Sequence, residues 1–166
     1  MRYAPIVLMM TGAAIMAQTP KYGVTVIADK ETDFAGFKTY AWEHGWQAYD
    51  KQVDADIKAA IDRELGAVGL AKKESGPGDL IVTYATLRRV DVDLKSKPTS
   101  ADGKSGLKQF DVGTLVVLLL EPGTRKELFR GRVDKPIEID RDHVKATVDA
   151  AVADMFAKYP TRVTKR

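Results

Sequence analysis

From Gly23 to Ala28 the chain is rich in β-branched residues, and from Phe37 to Trp42 apolar and aromatic positions are interleaved with Lys38 and Thr39. Both stretches predict short strands. The residues between them, Asp29 to Gly36, form a polar turn carrying Asp33 and Phe34, and Gly36 predicts a tight connection. The period then changes. Val53, Ile57, Ile61, Leu65 and Val68 recur at helical spacing, while Asp54, Asp56, Lys58, Asp62 and Arg63 fall on other faces. This predicts an amphipathic helix, capped at its start by Asp50 and ended at Gly66 or Gly69.

Lys72 to Gly78 reads as a loop closed by Gly76-Pro77-Gly78, and Asp79 to Leu94 as a long extended segment. Towards its end Val90, Val92 and Leu94 alternate with Asp91 and Asp93, so this end is expected to project into solvent. Lys95 to Lys108 is a polar Ser/Gly/Lys-rich hairpin connection. Phe110 to Leu120 is the most apolar strand, Glu121 to Thr124 a turn, and Glu127 to Val133 the returning strand. A second amphipathic helix starts near Asp140 or Asp142, carries Val144, Val148, Val152 and Phe156 on one stripe, and stops at Tyr159-Pro160. The order ββαβββα predicts an α+β two-layer sandwich: a mainly antiparallel sheet of about five strands with both helices on one face.

One stretch departs from the alternation that such a sheet requires. Leu115 to Leu120 is apolar at every position and Leu80 to Tyr84 nearly so. A continuous apolar run means a strand buried on both faces, yet two helices cover only one. The second face is therefore expected to be covered by another copy of the chain, a partner or an apolar ligand, or else by the long loop or the N-terminal segment folding back. Leu115, Val117 and Leu119 are candidate contact residues on that face.

The N-terminus changes the picture of location. Met1-Arg2-Tyr3 is followed by an apolar run from Ala4 to Ala17 and then Gln18-Thr19-Pro20. A short positive start, an apolar stretch and a small residue at the cut describe a secretory signal peptide. Residues 1–17 are expected to be the leader and 18–166 a single domain beginning at Gln18 in the exported form; retention as an anchor is the other possibility. The run is shorter than the roughly 20 residues that a permanent bilayer helix needs.

Composition narrows the chemistry. The chain has 166 residues, 26 Lys plus Arg against 23 Asp plus Glu, and a net charge of +3. Acids and bases are interleaved, so the clustered basic face of a nucleic-acid binder is missing. There is no cysteine, which removes disulfides, thiolate metal sites, cysteine nucleophiles and a lipid-modified cysteine together. Histidine occurs only at His44 and His143.

Asp29, Asp33-Phe34 and Lys38-Thr39-Tyr40-Ala41-Trp42 resemble the opening signature of the domain-of-unknown-function 4136 family. Asp79-Leu80 with Val82 and Tyr84, and Gly113-Thr114-Leu115-Val116, are similar to its middle; Leu128-Phe129-Arg130-Gly131 and Tyr159-Pro160 are similar to its end. The resemblance covers Tyr22 to Pro160. It implies an exported or envelope α+β domain and supplies no catalytic residues. The family often carries a lipoprotein cysteine at the cleavage site, absent here, and Phe129 stands where the family has Trp.

Motifs for chemistry are sparse. Gly103-Lys104-Ser105 lacks the upstream glycine of a phosphate loop, since position 98 is Pro98, and a strand follows rather than a helix. No serine sits in a Gly-x-Ser-x-Gly elbow. Asp91 and Asp93 point to one face of a strand about 7 Å apart and could do acid/base work or hold a cation; alternatively Arg88 and Arg89 balance them on a solvated face. Asp140, Asp142 and His143 suit a helix start better than a metal, because a lone histidine gives too few ligands. Tyr40, Trp42, Trp46 and Tyr49 around His44 make either a stacking platform for a sugar or another flat ligand, or core filling with a capped edge. Lys95, Lys97, Lys104 and Lys108, with the tail Arg162, Lys165 and Arg166, form solvated charge runs that could also touch anionic polymers.

The expected function is a non-catalytic envelope module binding a protein, glycan or lipid component through its sheet face or aromatic edge, with no cofactor, metal or nucleic acid. A homodimer through the sheet face is one form this could take. A carrier of a small apolar ligand is the alternative, and a hydrolase built on an Asp pair the last.

Overall fold

The structure is a computed structural model, and it describes residues 22–95, 99–101, 104–137 and 140–161. The leader reading of residues 1–17 and the tail positions Arg162, Lys165 and Arg166 lie outside the described residues, as do Lys97, Pro98 and Gly103.

In chain order the elements are β1 (Gly23–Ala28), a single 3-10 turn (Phe34–Gly36), β2 (Thr39–Trp42), α1 (Lys51–Ala67), β3 (Ala71–Lys72), β4 (Leu80–Val92), β5 (Thr99–Ala101), β6 (Lys104–Gly106), β7 (Gln109–Leu120), β8 (Glu127–Pro136) and α2 (Arg141–Phe156). Six strands form one sheet in the order β1-β8-β7-β4-β2-β3, and β5 and β6 pair only with each other. Architecture is α+β as the sequence implies, with one difference in the sheet. β2 runs parallel to both β4 and β3, so the sheet is mixed, and β1 and β2 are not neighbours but lie on opposite sides of the central strands. The reason lies in the connection: the chain leaves β2 through α1 before it reaches β4, and a crossover through a helix returns a strand parallel, where a tight turn would return it antiparallel. β3 is two residues long and the β5–β6 ribbon lies within a Ser/Gly/Lys-rich stretch, too short and too polar to show any periodicity.

Both helices form where the apolar stripe and cap coincide. Asp50 accepts hydrogen bonds from the Gln52 and Val53 amides at 2.8 and 3.3 Å, and Asp140 accepts one from Asp142 at 3.0 Å, each satisfying free donors of a first turn. α1 ends where Gly69 takes φ +91°, a conformation that favours glycine. α1 buries Ile57, Ala60, Ile61 and Leu65, and α2 buries Ala151, Val152, Met155 and Phe156. Val144, expected on that stripe, is only partly covered because the buried stripe of α2 lies in its C-terminal half.

Strand alternation then divides the sheet. Tyr84 faces Val117 across the ladder and Val82 faces Leu119; with Leu80, Leu115, Phe129 and Val133 these side chains meet the helices in a single core. Gly131 belongs to the same face, and a Cβ there would stand 2.7 Å from Met155 Sδ and 3.0 Å from its Cβ, so α2 can lie against β8 only over a glycine. At the far end Tyr159 stacks near Phe156 and meets Phe34 edge-on at 5.3 Å, with Phe129 at 5.7 Å. Burial without a hydrogen-bond partner pushes its hydroxyl pKa up to about 12. Among the described residues no helix is long and apolar enough to cross a membrane.

Gly131→Ala is expected to lower stability by about 1–3 kcal/mol, because the added methyl must displace a buried methionine. Urea unfolding followed by circular dichroism measures it; an unchanged midpoint would place Met155 elsewhere.

Candidate functional site

Three regions carry the residues singled out in the sequence. The first is the aromatic segment, which the strand period splits apart. Tyr40 is buried in the core and Trp42 half-buried beside it, both towards α1. Asp62 on α1 holds them: its Oδ1 accepts from Tyr40 Oη and from Trp42 Nε1, both at 2.7 Å, and its Oδ2 faces Lys72 Nζ at 3.4 Å. Tyr84 stands edge-on to Trp42 at 5.9 Å and donates to Asp54, whose other oxygen pairs with Lys58. Burial and these acidic partners raise the Tyr40 and Tyr84 hydroxyl pKa values. Trp46 instead bridges to Ala85 and points to the opposite face, where it is 71% exposed, and Tyr49 is fully exposed in the loop before α1. The four aromatics therefore make no single platform. A groove of about 480 Å³ does lie beside Trp42, walled by Lys58, Asp62 and the loop Lys72–Gly76, and a smaller one of about 130 Å³ adjoins it on the side of His44 and Gly45.

The second region is the sheet face that the helices do not cover. Leu115, Val117 and Leu119 point into the core and are at most 7% exposed, so they cannot meet a partner on the open face. Their alternates do: Val116, Leu118 and Leu120 on β7 sit opposite Ala85, Thr83 and Ile81 on β4. On the other side they sit opposite Arg132, Arg130 and Glu127 of β8. Ile27 of β1 and Leu87 of β4 continue this face and are 53% and 51% exposed. Around its edges charges come in pairs: Arg130 with Glu127 at 2.8 Å, Arg132 with Asp134 at 2.9 Å, and Arg125 with Glu43. The polar β5–β6 ribbon contacts no other strand or helix, so the described part of the long loop does not fold over the face. Nor does the described part of the N-terminal segment, since Tyr22 covers only the far end, packing on Phe110 and donating to Asp91.

The third region is the acidic pairs. Arg89 holds Asp91 at 3.0 Å and Asp134 at 2.6 Å, and Arg88 holds Asp111. Asp91 is thus balanced by an arginine and a tyrosine, and Asp140 serves as a helix cap with His143 Nδ1 3.5 Å away. Between Arg89 and Thr114, Asp134 is the tightest of these groups. Burial alone would raise its carboxyl pKa, but hydrogen bonds from Arg132, Thr114 and Arg89 hold it far below the usual carboxylate range.

The polar signature residues serve the backbone in the same way. Asp79 accepts from the Lys38 and Thr39 amides at 2.9 Å, and Thr39 Oγ1 accepts from the Asp79 amide at 3.1 Å, clamping the start of β2 to that of β4. Asp33 caps the 3-10 turn that delivers Phe34 to the core. Asp29 binds Thr32, the Glu31 amide and Lys126, the ammonium first among the causes that bring its carboxyl pKa down to about 2. Sequence reasoning had no signal for these roles, since a turn aspartate reads the same whether it clamps its own loop or a distant strand.

The sequence model of the domain of unknown function DUF4136 matches residues 24–161. The chain belongs to this family. No curated protein sequence matches it significantly. Among solved structures it is similar to a PDZ domain protein from Parabacteroides distasonis, at TM-score 0.58 and 18% identity; the match covers 87% of this chain and 36% of that one, so this chain spans about a third of that protein. It is also similar to a PelC dodecamer from Paraburkholderia phytofirmans, at TM-score 0.54 and 10% identity, covering 87% of this chain and 100% of that one. At these identities the likeness is one of fold. Of the residues that carry the resemblance, Asp29, Asp33, Phe34, Thr39, Asp79, Gly131 and Tyr159 fall on the clamps and close approaches described above, which are structural contacts.

These clamps give the fold a pH dependence of definite sign. Asp29 and Asp134 have lower pKa values folded than unfolded, where an aspartate titrates near about 3.9. Their stabilisation is complete above that value and is lost as pH falls through the folded pKa. The urea midpoint is expected to stay level down to about pH 5 and to fall steadily from about pH 4 towards pH 2, less steeply in Asp134→Asn. A midpoint that is flat or rises over that range would contradict the assignment.

Proposed function

We propose that this chain is an exported, non-catalytic structural module of the cell envelope that associates with further copies of itself through the open face of its sheet. The carrying observation is that face: Ile81, Ala85, Leu87, Val116, Leu118 and Leu120 form an apolar centre with charge pairs around it, and among the described residues no second layer lies above it. An apolar centre with a polar rim is the anatomy of a protein interface, and large exposed apolar patches on a folded chain mark contact surfaces. A second copy fits as occupant because Arg125, Arg130 and Arg132 on the rim are each paired with a carboxylate, so the face presents no single-sign field that would repel its like. The fold neighbour from Paraburkholderia phytofirmans assembles as a dodecamer, which supports self-association as a use of this scaffold. Export is supported by the leader-like start Met1 to Ala17.

A carrier of an apolar ligand would need space between sheet and helices. That space is filled by Tyr40, Tyr84, Phe129, Phe156 and Met155, all fully buried. Of the acidic pairs that an enzyme would use, Asp91 is held by Arg89 and Asp140 is spent on a helix cap.

Size-exclusion chromatography with light scattering tests the reading. The wild-type protein is expected to run as more than one copy, and Leu118→Lys, which sets an ammonium at the centre of the face, as a single folded copy. A wild-type monomer, or an assembly that Leu118→Lys leaves intact, would overturn it; a monomer whose face is protected would point to the chain's own N-terminal segment as the cover.

A further inference from the structure

The groove beside Trp42 is a separate surface, on the helix side of the sheet, and takes no part in the proposed association. Two close backbone approaches build it. A Cβ at Gly78 would lie 2.6 Å from the Tyr40 carbonyl carbon, so the loop after β3 lies directly against β2 and forms one wall. A Cβ at Gly45 would lie 2.0 Å from the Tyr84 carbonyl oxygen, so the loop after β2 is pressed against β4 and walls the smaller groove. Trp42 and Lys58 line both, so the two grooves flank the indole. The indole is fixed before any ligand arrives: Asp62 takes its Nε1–H at 2.7 Å and Tyr84 stands edge-on to its ring.

Around that ring donors and acceptors are mixed. Lys58, Lys72 and Lys73 bring ammonium groups; Asp62 and Glu74 bring carboxylates, and Ser75 a hydroxyl. Each lysine holds one or two partners here: Lys72 reaches Asp62 and Glu74 at 3.4 and 3.8 Å, and Lys73 reaches the Pro77 carbonyl at 3.1 Å. An ammonium has three donors, so each keeps capacity for another bond. Three positive against two negative groups nearly cancel, which selects against a strongly charged ligand. What fits is a molecule with one apolar face for the indole and an edge of hydroxyls that both donate and accept. A pyranose ring has that form: its C–H face lies on the aromatic ring and its hydroxyls reach the groups around it. The volume of about 480 Å³ falls within the range of small-molecule sites.

We propose that this groove is a saccharide-binding site for a neutral glycan, with Trp42 as the stacking surface and Lys72, Glu74 and Ser75 as hydroxyl partners. The test is a titration of the full chain with maltotriose, cellotriose and the trimer of N-acetylglucosamine, followed by the two indole N–H signals in proton–nitrogen NMR; Trp46→Phe serves only to assign them. Inorganic phosphate is the anion control. A saturable shift of the Trp42 signal with at least one trisaccharide, none with phosphate, and binding weakened about tenfold in Glu74→Ala are expected. The Glu74 side chain is 84% exposed, so that variant leaves the fold intact. No saturable response to any of the three sugars, a response to phosphate alone, or undiminished binding in Glu74→Ala would overturn the assignment.

Discussion

The constraint on which the structure turns is that β7 is apolar on both sides while the helices can cover one. Leu115, Val117 and Leu119 give α1 and α2 their floor, and the same six-residue run leaves Val116, Leu118 and Leu120 on the other side. A soluble sheet with one free face ordinarily alternates apolar with polar residues. β4 follows that rule only in part, placing Ile81, Ala85 and Leu87 beside the β7 residues with Thr83 among them. The proposed association follows from this mismatch, because burying the second face stabilises an assembly by the same effect that stabilises the core.

Polar residues do a different job. Asp79 with Thr39, Asp29 with Lys126, Asp134 with Arg89 and Thr114, and Asp62 with Tyr40 and Trp42 each join segments far apart in sequence. Parallel pairing of β2 with β4 has only three residue pairs to fix it, and the Thr39–Asp79 exchange sets where it begins. These contacts account for why the acids stand where they do without giving any of them a reaction to perform.

Much of this was legible in the chain. The helices, their aspartate caps and the long strands β4 and β7 follow from period and end signals, and the ordered signature pointed to DUF4136. The parallel crossover was hidden because β2 is only four residues long and nothing in a strand's own residues states its partner's direction. The continuous run in β7 announces a second apolar face but not which residues supply it: a period of two leaves the parity open until the core chooses, and the core takes Leu115, Val117 and Leu119. Likewise Tyr40, Trp42, Trp46 and Tyr49 are close in sequence, but strand geometry and the loop that follows send them to different surfaces.

Cover of the open face by another copy is directly measurable, because the chain contains no cysteine. Leu118→Cys introduces the only thiol, at the centre of the face, and its rate of reaction with a thiol reagent can be followed as the protein is diluted. Slow labelling at high concentration that becomes fast on dilution is the predicted result. Labelling that is fast at every concentration, and equal to that of Lys145→Cys on the exposed side of α2, would contradict it.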